Sequence, residues 1–244
     1  MKLKLFTVIA LLTLICGLTL RGPMAVAAQD EGTPSADSDL DLSNLDGLKS
    51  AVGRSYVGDV DAMMSALIPS GTPGADASTP DLSSLGLFSL TGVVAEFEKT
   101  SQAKDGFDKA TDEITKSLES DDSEDAIKLE DAKVSGVGDQ SKAFTGTMDE
   151  GGIPLNVFVI TAQQDNFIYV GVGITFADDA KDGTSDFTKA MIDGKAGKGD
   201  GTFSEDGKST GGLWDKFPTD GDKVLQGLTV SADELLYPQQ EGGE

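Results

Sequence analysis

The chain has 244 residues, a net charge of −23 and no histidine, and its one cysteine is Cys16. Beyond Cys16 this composition excludes thiol and imidazole chemistry, and it argues against zinc, which takes Cys or His ligands. A surface this acidic repels nucleic acid and anionic lipid, so neither is an expected partner.

Residues 1–28 read as a secretory signal peptide. Lys2 and Lys4 precede an apolar run from Leu5 to Leu20, and Ala25-Val26-Ala27-Ala28 supplies the small residues of a cleavage site. Cleavage after Ala27 or Ala28 would leave a chain starting near Gln29, secreted or held in the cell envelope. The alternative is retention as an anchor, for which the apolar run is short. Ile15 stands before Cys16 where a lipoprotein signal needs a small residue, so lipidation is not expected. No membrane span is expected after cleavage.

Residues 29–41 are acidic and poor in large apolar groups, the composition of a disordered linker. Residues 42–237 are expected to form a single α+β domain. Its first part, 42–69, reads as helical. Leu42, Leu45, Leu48 and Val52 recur at helical spacing, with Ser43 or Asn44 to cap and Gly53 to end the helix. A second short helix would run from Asp59 through Met63, Met64, Leu67 and Ile68 to Pro69. Residues 70–81 are a loop by composition.

The core is expected over 85–192. Leu87 to Phe97 reads as a strand with Val93, Ala95 and Phe97 on one face. A helix follows, capped by Thr100 or Ser101 and ending near Ser120, with Ala103, Phe107, Ala110, Ile114 and Leu118 along one stripe. Ile127 and Leu129 begin another strand. The apolar phase changes at Glu130-Asp131 before Ala132 and Val134, which predicts a β-bulge. Gly136 and Gly138 turn the chain into a strand carrying Phe144, Gly146 and Met148.

The most apolar stretch after the leader is Ile153 to Phe176. Alternation predicts two strands, with Ile153, Leu155, Val157 and Val159 on one face of the first. Ile168, Val170, Val172, Ile174 and Phe176 share a face of the second. A turn centred on Gln164-Asp165 would pair Val159 with Val170, Val157 with Val172 and Leu155 with Ile174. Phe158 would then cover Gly171. A tip at Glu150-Gly151 would likewise pair Met148 with Ile153 and Phe144 with Val157. Burial is expected for Leu155, Val157, Val170 and Val172.

A short helix is expected from Ser185 to about Ile192, then a mobile Gly/Lys/Asp loop over 193–212. An apolar segment over 213–237 contains Leu213, Trp214, Phe217, Leu225, Leu228, Leu235, Leu236 and Tyr237, with Trp214 as a core or edge plug. A loose tail follows over 238–244. The stretches 70–87 and 219–228 are faintly alike. The predicted architecture is an antiparallel meander of about five strands with helices packed on one face.

Motifs that could carry chemistry are incomplete. Ser101 and Lys104 have the S-x-x-K spacing of penicillin-binding enzymes, without S-D-N or K-T-G partners. Gly201 to Ser209 resembles a phosphate-binding loop with one residue too many between its glycines. Asp37, Asp39 and Asp41 open like a calcium loop, but Leu42 and Leu48 replace its glycine and its bidentate Glu. Asp193, Asp200, Glu205 and Asp206 are a looser acidic group. These leave weak calcium association as an expectation and no dedicated metal site, no cofactor and no catalytic set. The expected function is an exported, non-enzymatic module that binds an unidentified protein or a small apolar ligand. A calcium-dependent acidic surface protein is the alternative, and a Ser- or carboxylate-dependent hydrolase is the third reading.

Overall fold

The computed structural model describes residues 44–58, 87–119, 127–150, 153–176, 180–194, 200–203, 209–218 and 223–237. The signal segment, the 29–41 linker, the 59–69 helix, the 70–81 loop, the Asp37-Asp39-Asp41 run and the 238–244 tail lie outside them. So do most of the two faintly similar stretches.

A seven-stranded antiparallel sheet organises the described residues. Its strands are β1 (Leu48–Gly58), β2 (Leu87–Phe97), β3 (Lys128–Ala132), β4 (Gln140–Glu150), β5 (Ile153–Gln164), β6 (Phe167–Thr175) and β9 (Leu228–Tyr237). The spatial order is β3-β4-β5-β6-β2-β1-β9. Two helices, α1 (Thr100–Glu119) and α2 (Ala180–Asp193), join strands that are not neighbours. The sheet is therefore larger than five strands, and only β3 to β6 form an uninterrupted meander. A separate two-stranded ribbon pairs β7 (Asp200–Phe203) with β8 (Ser209–Gly211).

The helices do not share one face. Ala103, Phe107, Ala110 and Ile114 of α1 pack with Ala95, Phe97, Val157, Val159, Val170 and Val172. Phe187 and Met191 of α2 pack with Val52, Tyr56, Leu90, Val94, Phe158, Ile160 and Tyr169 on the opposite face. Successive strand residues point to opposite faces. Both parities of the central strands are apolar, so both faces demand cover.

That double burial explains three departures from the sequence reading. Residues 48–52 are the start of β1 and not the end of a helix, and Gly53 lies mid-strand between Val93 and Glu234. Ala51 serves the α1 side while Val52 and Tyr56 serve the α2 side, so the strand shows no clean alternation. β3 pairs with β4 from Lys128↔Thr147 to Ala132↔Ala143 without a bulge. Its change of phase is a change of face: Ile127 and Leu129 pack on the α1 side, and Ala132 and Val134 on the α2 side.

The central hairpin keeps its predicted faces but slides by two residues. Val157 pairs with Ile174, Val159 with Val172 and Phe158 with Gly173. The connection is the two-residue turn Asp165-Asn166, with Asp165 at φ 53, a conformation Asp tolerates better than most residues. Gln163 Nε2 donates to the Asp165 carbonyl at 2.6 Å and secures the turn. A two-residue slip preserves side-chain parity, so Leu155, Val157, Val170 and Val172 are all buried. The preceding hairpin slides equally, pairing Met148 with Leu155 and Phe144 with Val159.

Leu87–Phe97 and α1 lie where the sequence places them, and Gly136 and Gly138 both take positive φ. Helix α2 starts earlier than predicted, at Ala180. Part of the stretch expected to be a mobile loop, 193–212, forms the β7–β8 ribbon. Beyond it the apolar segment makes two 3₁₀ turns, Gly212–Lys216 and Lys223–Leu225, before β9.

Candidate functional site

Arginine occurs only at positions 21 and 54. Arg54 lies in β1 between Val52 and Tyr56, on the face that α2 covers. It pairs with Asp233 on one side and Gly92 on the other. One row of cross-strand partners runs through it over the whole sheet: Asp233, Arg54, Gly92, Gly171, Ile160, Ala143 and Ala132.

The guanidinium is held from two directions. Its Nε and Nη2 donate to Asp233 Oδ1 and Oδ2 at 2.6 and 2.9 Å, the bidentate geometry that makes Arg–carboxylate pairs strong. Its carbon lies 5.3 Å from the Trp214 ring centroid and 5.5 Å from that of Phe217, within cation–π range of both. Tyr56 donates its hydroxyl proton to the Pro218 carbonyl at 2.6 Å, tying β1 to the end of the 3₁₀ segment. Burial alone would lower the Arg54 pKa. The hydrogen bonds to Asp233 and Tyr56 outweigh it and hold the group above its ordinary value.

Beside Arg54 the sheet is pared to glycine. A Cβ on Gly92 would stand 2.6 Å from Met191 Sδ and 2.9 Å from the rings of Phe187 and Phe217. One on Gly171 would strike Thr188 Oγ1, and one on Gly173 would strike Thr184 Oγ1. The two threonines donate back to helix carbonyls, Thr184 to Ala180 at 2.6 Å and Thr188 to Thr184 at 2.8 Å. The glycines let α2 lie close on the sheet, and the helix carries Phe187 and Met191 into contact with the aromatic cover of Arg54.

Chemically this cluster is a clamp. Its one cation is neutralised by one carboxylate, and both side chains are largely shielded from solvent, at 14% and 9% exposure. It joins β9 at the sheet edge and the Trp214–Phe217 turn to the interior strand β1. Arg54, Asp233, Gly92 and Gly173 were not singled out from the sequence, and Gly171 was expected beneath Phe158 and not beneath α2. The available signal was a lone arginine inside an apolar strand, since a buried charge requires a partner.

The candidate residues from the sequence do not converge. Ser101 and Lys104 are both exposed on the first turns of α1. Neither Thr100 nor Ser101 is the cap: the helix already begins at Thr100, and the Gln102 and Ala103 amides donate to the Lys99 carbonyl. Gly201 lies in β7 and Ser209 in β8, an antiparallel ribbon and not the strand-to-helix loop that cradles phosphate; 204–208 lie outside the described residues. Asp193 ends α2 exposed, Asp200 opens β7, and Glu205 and Asp206 lie outside the described residues. Among the described residues no three Asp, Glu, Cys or His side chains gather closely enough to hold a metal. Trp214 is buried at the clamp.

No protein-family model and no curated protein matches the chain. Among solved structures, the extracellular domain of PknH from Mycobacterium tuberculosis aligns at 8% identity and a TM-score of 0.31, over 43% of this chain and 56% of that one. The likeness is too slight for the fold or function of one to be carried to the other. Among the described residues no helix is long and apolar enough to cross a membrane.

Proposed function

We propose that this chain is an exported, non-enzymatic module that works outside the cytoplasm by binding a protein partner or a small apolar ligand. Export rests on the basic, apolar and small-residue succession of residues 1–28. The non-enzymatic reading rests on the clamp. Arg54, the best-formed polar constellation among the described residues, is used to fasten β9 and the Trp214 turn. Its Nε and Nη2 donate to Asp233 and its Nη1 to the Tyr56 hydroxyl.

Three measurements bear on the reading. Expression with the native first 28 residues should release a chain beginning near Gln29 outside the cytoplasm. A product retained with its leader intact would contradict export. Fluorophosphonate labelling of the purified protein should leave Ser101 unmodified, and native mass spectrometry should show either the bare chain or a non-covalent small-molecule adduct. Stoichiometric labelling of Ser101 would replace the binding reading with the hydrolase one.

A further inference from the structure

The sequence contains seven Asp-Gly steps. Glycine after aspartate leaves the backbone nitrogen sterically open to the Asp side-chain carbon. We infer that Asp46-Gly47 is a site of spontaneous backbone isomerisation, and the first of the Asp-Gly steps in the described turns and helices to react.

Four Asp-Gly steps lie in the described turns and helices. Asp105 and Asp182 lie inside α1 and α2, where helical dihedrals hold the following amide in the regular ladder, away from the side chain. Asp193 ends α2, and the amide of Gly194 is engaged, donating to the Met191 carbonyl at 3.1 Å. Asp46 is exposed in the turn before β1. Among the described residues the Gly47 amide has no acceptor, and Gly47 takes φ 75, a conformation glycine adopts without penalty. Of these four steps, Asp46-Gly47 alone combines an exposed carboxyl, a non-helical backbone and an unengaged nitrogen.

The chemistry is closed. The Gly47 nitrogen attacks Asp46 Cγ, a C–N bond forms and the side-chain hydroxyl departs as water, giving a five-membered succinimide. Water then adds to the ring at the former main-chain carbonyl, that carbonyl's bond to the Gly47 nitrogen breaks, and the chain continues through the side-chain carbon. One water is lost and one regained, with no oxidant and no net change in mass.

The product carries an extra methylene in the main chain two residues before β1. Two hydrogen bonds flank that point: the Leu48 amide donates to the Leu45 carbonyl at 3.3 Å, and the Glu98 amide donates to the Gly47 carbonyl at 2.9 Å. Their loss would loosen the β1 entry against the β2–α1 junction.

The test is incubation of the purified protein at neutral pH beside a synthetic peptide spanning Asn44 to Lys49, until half the peptide has converted. Isoaspartate is then located by peptide mapping with an isoaspartyl methyltransferase. The expected result is isoaspartate at position 46 ahead of 105, 182 and 193, with faster deuterium exchange at the Glu98 amide in the modified fraction. Asp46→Glu should abolish that signal and leave the other three positions unchanged. An unmodified position 46 when the free peptide has converted, or earlier reaction at 105, 182 or 193, would overturn the inference.

Discussion

Thr188 of α2 lies directly over Gly171 of β6, so close that a methyl group on that glycine would collide with the threonine hydroxyl. Gly171→Ala must therefore lift the helix or displace Thr188, and overpacking of this kind costs about 1–3 kcal/mol. Combining it with Thr188→Ala removes the obstructing oxygen, so the double variant should lose less stability than the two single losses added together. Denaturant midpoints of the four proteins in the cycle measure this directly. Strict additivity would mean that the helix does not rest on the glycine.

The Arg54 clamp predicts an asymmetric response. Asp233→Asn leaves a shielded cation without its counter-charge and should cost about 2–3 kcal/mol. Arg54→Lys keeps the charge but loses the planar fork and the ring contacts, so it should not restore full stability. Trp214 is the only tryptophan and is buried. Its emission should shift to the red in both variants as the turn loosens. Unchanged emission and unchanged melting would remove the clamp from the account.

Val172 is buried opposite Val159 beneath α1. Val172→Asp places an unpaired carboxylate there, a cost of several kcal/mol, and should give an unfolded or aggregated product. A soluble variant with native melting would refute the burial. On the same face Phe107→Ala should cost about 3–5 kcal/mol. Ser101→Ala, at an exposed position past the start of the helix, should stay within about 0.5 kcal/mol of the parent.

Tyr169 predicts an alkaline limit. Burial, assisted by the charge of Asp165, raises the pKa of this phenol well above its ordinary value of 10.0. The folded chain then keeps its proton where the unfolded chain releases it. Below about pH 10 both states hold the proton and the group has no effect on stability. As pH rises through that value only the unfolded state ionises, so stability falls. Tyr169→Phe should flatten this decline, as read by denaturant midpoints between pH 8 and pH 11. An identical decline in the variant would assign the effect to other groups.

What the sequence revealed follows from which signals are local. The alternation of Val157, Val159, Val170 and Val172 and the stripe of α1 depend on near neighbours, and both elements form as read. The hairpin register depends on which two residues occupy the turn. Gln164-Asp165 and Asp165-Asn166 are almost equally suited, and a change of one in the turn centre moves every partner by two. β1 was legible only as a helix because Leu45, Leu48 and Val52 happen to recur at helical spacing. The competing strand signal was erased by packing on both sides. The clamp was invisible because Arg54 and Asp233 are far apart in the chain. They meet only once β9 returns to the edge of β1.

The sheet is interior on both sides, with α1 on one face and α2 on the other. Isotope-edited nuclear Overhauser spectroscopy tests this in a single sample. Contacts are predicted between the Phe97 ring and Gly106 of α1, and between Thr188 of α2 and the α-protons of Gly171. Thr188 should show none to the side chains of Val170 or Val172, which face α1. Contacts from Thr188 to those valines, with Gly171 silent, would place both helices on one face and contradict the fold described above.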